Sequence, residues 1–290
     1  MYSVVSVEEK LPVVVGVDGV PAGLDIVDVA AAEAAHRQVP LTVVHAWPGR
    51  HGESQRHRMM RPDPDDGHHL LDLAARRIRT QHPDLPLHTE LADENAAEAL
   101  LRQSMQACLL VIRHRDEVAL GHGWGSTAAY LAHHSACPLL VCRGPAIQRG
   151  PVVLAASGRR SPTAGCAFEA AARTGSPLVA THVCASDADR RATNRSLTSS
   201  LSGWQALWPD VAVQHLLITE ADIAYTAERA SRRARLLVGG RGDKGWFVET
   251  LYVLGGAVSG THRQCPVLLV PPGWPQSASP ATLQRRRRQQ

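Results

Sequence analysis

The run Pro12-Val-Val-Val-Gly-Val-Asp18-Gly19 decides the fold, because it returns later in the chain as Pro151-Val-Val-Leu-Ala-Ala-Ser157-Gly158. Each copy is a short, unbroken apolar segment closed by a glycine turn. It is too short for a buried helix and lacks the polar alternation of a half-exposed strand, so it reads as a strand covered on both faces. Working outward, each copy is followed by an alanine-rich segment, 27–36 or 164–173, whose composition suits a helix packed on a sheet. Then come Pro40-Leu-Thr-Val-Val-His45-Ala46 and Pro177-Leu-Val-Ala-Thr-His182-Val183, second strands with the same proline and histidine placement.

The correspondence continues to the end of each copy. A polar loop, 48–69 or 185–196, leads through a helical stretch to a third strand, 87–91 or 212–216. Helical segments at 96–106 and 221–234 precede Leu109-Leu-Val-Ile112 and Leu236-Leu-Val-Gly239, and Cys137-Pro-Leu-Leu-Val141 answers to Cys265-Pro-Val-Leu-Leu-Val270. Strands alternating with helices predict parallel sheets with both faces covered. The expected fold class is therefore α/β, with two doubly wound five-stranded parallel-sheet domains at 12–145 and 150–271 and a disordered basic tail at 272–290.

Composition agrees with this layout. The 290 residues are 44% hydrophobic and 20% charged, which excludes a fibrous or low-complexity chain. Lys plus Arg is 31 and Asp plus Glu is 27, giving +4, and Arg285, Arg286, Arg287 and Arg288 alone supply four positive charges. The two repeats are thus formally neutral, which argues against a nucleic-acid partner. The first ten residues hold two glutamates and no long apolar run, so neither a secretory signal nor a membrane anchor is expected and the expected location is cytoplasmic. Six cysteines at 108, 137, 142, 166, 184 and 265 form no CxxC pair and read as thiols of a reducing compartment.

In an open parallel sheet the ligand crevice lies beyond the carboxyl ends of the strands. Those ends are Asp18-Gly19, His45-Ala46 and 112–126 in the first repeat, and Ser157-Gly158, His182-Val183 and 239–253 in the second. The opening VVVGVDG, the second strand PLTVVHAW, the ending GSTAAYLAHHSACPLLV and the loop LLVGGRGDKG together resemble a tandem universal stress protein, over about 12–270.

That resemblance implies a non-enzymatic stress-response or regulatory protein. It also implies an adenine-nucleotide site, with ATP as the expected cofactor and no metal, and a homodimer whose last strand, 139–142 or 267–270, pairs across subunits. Nucleotide-binding members use an aspartate at the first strand end, a backbone contact after the second strand's histidine, and a loop of form GxxG, nine residues, then Gly followed by Ser or Thr. Carried onto this chain, these are Asp18, Ala46, Gly125 and Ser126 in the first repeat and Gly239 and Gly242 in the second. Aspartate accepts hydrogen bonds from adenine or ribose, glycines let backbone N–H groups approach phosphate, and a helix start favours an anion.

Both repeats depart from that pattern. In the first, Ile112 and Arg115 stand where the leading glycines belong, with Arg115 a candidate guanidinium donor to phosphate. In the second, Ser157 replaces the aspartate, and Tyr252-Val253 stand where glycine and hydroxyl are expected. The alternative reading is a dimeric interaction scaffold that binds no nucleotide. Fifteen histidines include His68-His69 and His133-His134, but adjacent helical residues do not face one way and no HExxH is present. His45 and His182 occupy equivalent strand positions and are assigned to the fold. No GxSxG, P-loop or paired catalytic carboxylates nominate an enzyme.

Overall fold

The computed structural model describes residues 10–19, 23–47, 64–114, 126–143, 149–156, 162–184, 189–241 and 265–274. Two compact units divide between Ile112 and Arg113. The first contains β1 (Val13–Val17), α1 (Asp25–Arg37), β2 (Leu41–Ala46), α2 (Pro64–Gln81), β3 (Leu87–Ala92), α3 (Ala96–Ser104) and β4 (Leu109–Arg113). Its strands run in the order β3-β2-β1-β4, all parallel, with Val13 in register with both Leu41 and Leu109.

The second unit holds α4 (Ser126–His134), β5 (Leu139–Cys142), β6 (Val152–Ala155), α5 (Pro162–Thr174), β7 (Leu178–Val183), α6 (Arg190–Leu207), β8 (Val213–Ile218), α7 (Ile223–Arg233), β9 (Leu236–Gly240) and β10 (Val267–Val270). Its strand order is β5-β10-β9-β6-β7-β8. The β6, β7, β8, β9 and β10 pairings are parallel, whereas β10 meets β5 antiparallel, Leu268 opposite Leu140. The last strand of the first repeat thus groups with the second unit, so the compact units differ from the sequence repeats at 12–145 and 150–271.

That antiparallel seam alters one expectation. The edges of 139–142 and 267–270, expected to be open for a second subunit, are paired with each other inside one chain. Both strands are buried and apolar, and an unpaired apolar edge would be open to association.

The central strands are buried as the continuous apolar runs require. Val13, Val14 and Val15 in β1 and Val152 and Leu154 in β6 are almost wholly removed from solvent, each such side chain stabilising by about 1.5–3 kcal/mol. Gly16 interrupts β1 because α3 lies close: a Cβ there would come 2.8 Å from a Leu100 methyl.

Two expected loops are shorter than the sequence suggests. The polar stretch 48–69 yields to α2 at Pro64, and 185–196 yields to α6 at Arg190. Proline at a first helical position and acids in the first turn, Asp65 and Asp66, favour the earlier start. Asn95 starts α3 by accepting a 3.0 Å hydrogen bond from the Glu98 N–H. Among the described residues, no helix is long and apolar enough to cross a membrane.

Candidate functional site

In the first unit the carboxyl ends of β1 and β2 bring Asp18, Gly19, His45 and Ala46 together. Asp18 immediately follows β1 and is half-buried. Its Oδ1 lies against Gly23, and a Cβ at Gly23 would collide with that oxygen. Gly23 therefore sets how the carboxylate lies at the strand end, a role that no motif in the sequence signals.

His45 ties the two strand ends together. Its Nδ1 lies 3.0 Å from the Val17 carbonyl oxygen. A carbonyl only accepts, so this nitrogen carries the proton and the ring is held as that tautomer or as imidazolium. The ring's other flank meets α2, where Gly67 leaves room; a Cβ there would come 2.7 Å from Leu91 and 3.2 Å from His45. Ala46 is half-buried and in register with Ala92, and the next N–H, of Trp47, donates to the Ala92 carbonyl at 2.8 Å. The backbone beyond His45 is thereby pinned before it enters the crevice.

The second unit repeats the histidine device. His182 Nδ1 donates to the Ala156 carbonyl at 2.8 Å, so both histidines act as strand-end ties, as their equivalent positions suggest. Gly239 stands inside β9, in register with Ala155 on one side and Leu269 on the other, and Gly240 is in register with Val270. The first half of the GGRG motif is therefore built into the sheet. Arg241 follows: its N–H donates to the Val270 carbonyl at 3.0 Å, and its guanidinium reaches back 3.0 Å to the Ser135 carbonyl beyond α4. Burial lowers the Arg241 pKa from its ordinary value.

The remaining candidates fall as follows. Ser126 is the first residue of α4 in the second unit, as expected of a residue opening the last helix of its repeat. Ile112, standing where the family has a glycine, is buried at the end of β4. Arg115, Gly125 and Gly242 lie outside the described residues, as do Ser157, Tyr252, Val253 and the Arg285 to Arg288 run.

At the end of β5 His114 and Arg143 are buried, and the His114 N–H donates to the Cys142 carbonyl at 2.8 Å. Burial pushes the Cys265 thiol up to about 12, outweighing the opposing pull of the Arg143 charge. This cysteine is a poor nucleophile and suits a core role. His133 and His134 have ring centroids 6.4 Å apart and plane normals inclined at 57°. Among the described residues, no three His, Cys, Asp or Glu side chains group as metal ligands would.

Comparison with known proteins adds to this geometry. Residues 11–143 match the model of the universal stress protein family. Universal stress protein Rv2623 of Mycobacterium tuberculosis is 28% identical over 280 residues, covering 82% of this chain and 89% of the relative. Universal stress protein Rv2005c of the same organism is 26% identical over 270 residues, covering 80% and 88%. Residues 11–143 therefore carry a universal stress protein domain, and the chain is similar to universal stress proteins over most of its length.

The likeness extends over both repeats. A protein of unknown function, PA1789 from Pseudomonas aeruginosa, superposes with a TM-score of 0.60 at 15% identity, covering 97% of this chain and 98% of that one. A putative universal stress protein from the same species gives 0.59 at 16%, covering 91% and 93%. At such identities the shared property is the α/β fold.

Proposed function

We propose that this chain is a non-enzymatic regulatory protein of the universal stress type that binds adenine nucleotide, ATP included, weakly in its first repeat. The observation that carries this reading is the Asp18 carboxylate, set at the carboxyl end of β1 by Gly23 and adjoined by the His45 tie. Ala46 would supply a backbone contact to the nucleoside, and Gly125 and Ser126 the start of the phosphate contact, with Arg115 as a donor in place of the missing glycine. Gly239 and Gly242 would serve the second repeat, where Ser157 offers no carboxylate.

Binding measured by calorimetry on the full chain is expected to be saturable in the micromolar to millimolar range, about −8 to −4 kcal/mol, and to be abolished by Asp18→Ala. Unchanged affinity in that variant overturns the site. His45 beside Asp18 is tied through Nδ1 to the Val17 carbonyl, and the expected rate of phosphate release from ATP equals the protein-free control.

A second reading, an interaction scaffold without nucleotide, is favoured by the burial of Ile112 at the end of β4 and by Gly239 standing between two strands. Absence of ATP binding to the full chain would support it. The dimeric form of that scaffold requires an interface other than the β5 and β10 edges, which are already paired; light scattering checks it.

A further inference from the structure

The two repeats defend their outer sheet edges differently. In the first, Glu90 on β3 receives Arg102 at 2.8 Å and Gln103 at 2.6 Å, while Glu94 receives Arg102 at 2.6 Å. A charged, internally paired group thus stands on the edge strand, a common guard against strand addition. In the second repeat the same strand position is Leu216: Glu90 is in register with Val44 and Leu216 with Thr181, the equivalent second-strand residue. Leu216 is 41% exposed.

The helix above it changes in step. Arg229 occupies the place of Arg102, each seven residues before the strand that follows (236 − 229 = 109 − 102). No carboxylate answers it among the described side chains; it donates to the hydroxyl of Tyr225, which is 62% exposed, at 3.2 Å. Arg233, one turn on, is exposed as well. On the other face of β8, α6 begins with Arg190 and Arg191, both exposed, and Arg190 donates to the Leu217 carbonyl at 3.4 Å.

The hydrogen-bonding direction of β8 is settled by its neighbour. Leu178 and Cys184 donate to the carbonyls of Ala212 and Ile218, so by alternation Val213, His215 and Leu217 turn their backbone groups away from β7. An outward backbone edge carrying no acidic or lysine side chain is therefore flanked by arginines on both faces, with an apolar side chain between them.

We propose that the β8 edge receives an extended acidic peptide segment as an added strand. Its backbone would pair with Val213, His215 and Leu217, an apolar residue would cover Leu216, and its carboxylates would meet Arg229 and Arg190. A nucleic acid would satisfy the arginines but leave the outward amide groups and Leu216 unanswered. A second copy pairing about a two-fold axis would bring Arg190 and Arg229 towards their own mates.

The test uses the full chain and a fluorescein-labelled peptide alternating Glu and Val, read by fluorescence anisotropy, with a Lys and Val peptide and a labelled oligothymidine as comparisons. Saturable binding of the acidic peptide alone is expected. Leu216→Glu, which restores the first repeat's guard and supplies Arg229 with a partner, is expected to weaken it by about tenfold or more. His215→Pro removes one outward N–H at an edge, where proline is tolerated, and is expected to do the same; Arg229→Glu serves if that variant does not fold. Affinity unchanged in the folded variants overturns the proposal. Oligothymidine binding as tightly as the peptide, or self-association abolished by Leu216→Glu, also overturns it, in favour of a nucleic acid or a second copy respectively.

Discussion

The helix pairs α1–α2 and α5–α6 have identical lengths, 13 and 18 residues in each repeat, yet different forces join them. In the first pair Asp28 of α1 holds Arg77 of α2 through two bonds of 2.7 and 2.6 Å, with Gln81 adding a third at 3.2 Å. The hydrogen bonds and charge of Asp28 raise the Arg77 pKa further above its ordinary value. In the second pair the place of Asp28 is taken by Gly165, each lying thirteen residues before its second strand (41 − 28 = 178 − 165). The ring of Trp204 lies against it, so close that a Cβ would stand 2.7 Å from the ring edge. Trp204, Trp208 and Phe168 then stack with centroids 5.8 and 6.0 Å apart. The same backbone arrangement is thus held by a solvated polar clamp in one copy and a buried aromatic stack in the other.

The largest break in that comparison is Gly165→Asp, which places the first repeat's residue in the second. Its Cβ would enter the Trp204 ring and its carboxylate would be buried, so a loss of about 5 kcal/mol in denaturant-unfolding stability is expected. Trp204→Ala removes the ring itself and is expected to cost about 4 kcal/mol, as large aromatic truncations do. The opposite exchange, Asp28→Gly, loses a part-exposed clamp and puts glycine inside a helix, and is expected to cost about 1–2 kcal/mol, the clamp's share falling as salt is added. A scan in which Asp28→Gly proved as damaging as Gly165→Asp would show that the two clamps are energetically alike.

A smaller, pH-dependent difference belongs to the seam. The Cys265 thiol titrates near 12 in the folded chain against 9.0 ordinarily, so the unfolded chain releases this proton first. Stability contributed by the protonated thiol is complete below about pH 9 and declines as pH rises towards 12. Unfolding measured from pH 8 to 11 is expected to show a shallower decline in Cys265→Ala. Cys265 is also expected to resist alkylation at pH 8 until the chain is denatured.

The central strands were legible because each is an apolar run too short to be anything else, the edge strands β3 and β8 because they recur at the same place in each copy, and the histidine ties because 45 and 182 recur in one place. The helix starts at Pro64 and Arg190 were not, because the first deeply buried apolar side chains come later, at Leu70 and Leu197. Of the candidate site, Asp18 and Ala46 were readable from motif position. Gly23 was not, since its importance comes from a carboxylate that approaches it across a loop. Arg241 read as part of a phosphate loop, but its guanidinium is directed to a helix-end carbonyl.

The sequence by itself determined the repeat, the alternation of strands and helices within each copy and the positions where each copy departs from the universal stress protein pattern. Those properties follow from local pattern, since burial on both faces demands apolar runs and turns demand glycine. Only the tertiary structure decided that β5 and β10 close on each other, that Gly165 admits Trp204 and that β8 presents an unguarded edge. Each of these depends on which distant segments meet, and that is set by shape and charge between surfaces rather than by any one stretch of chain.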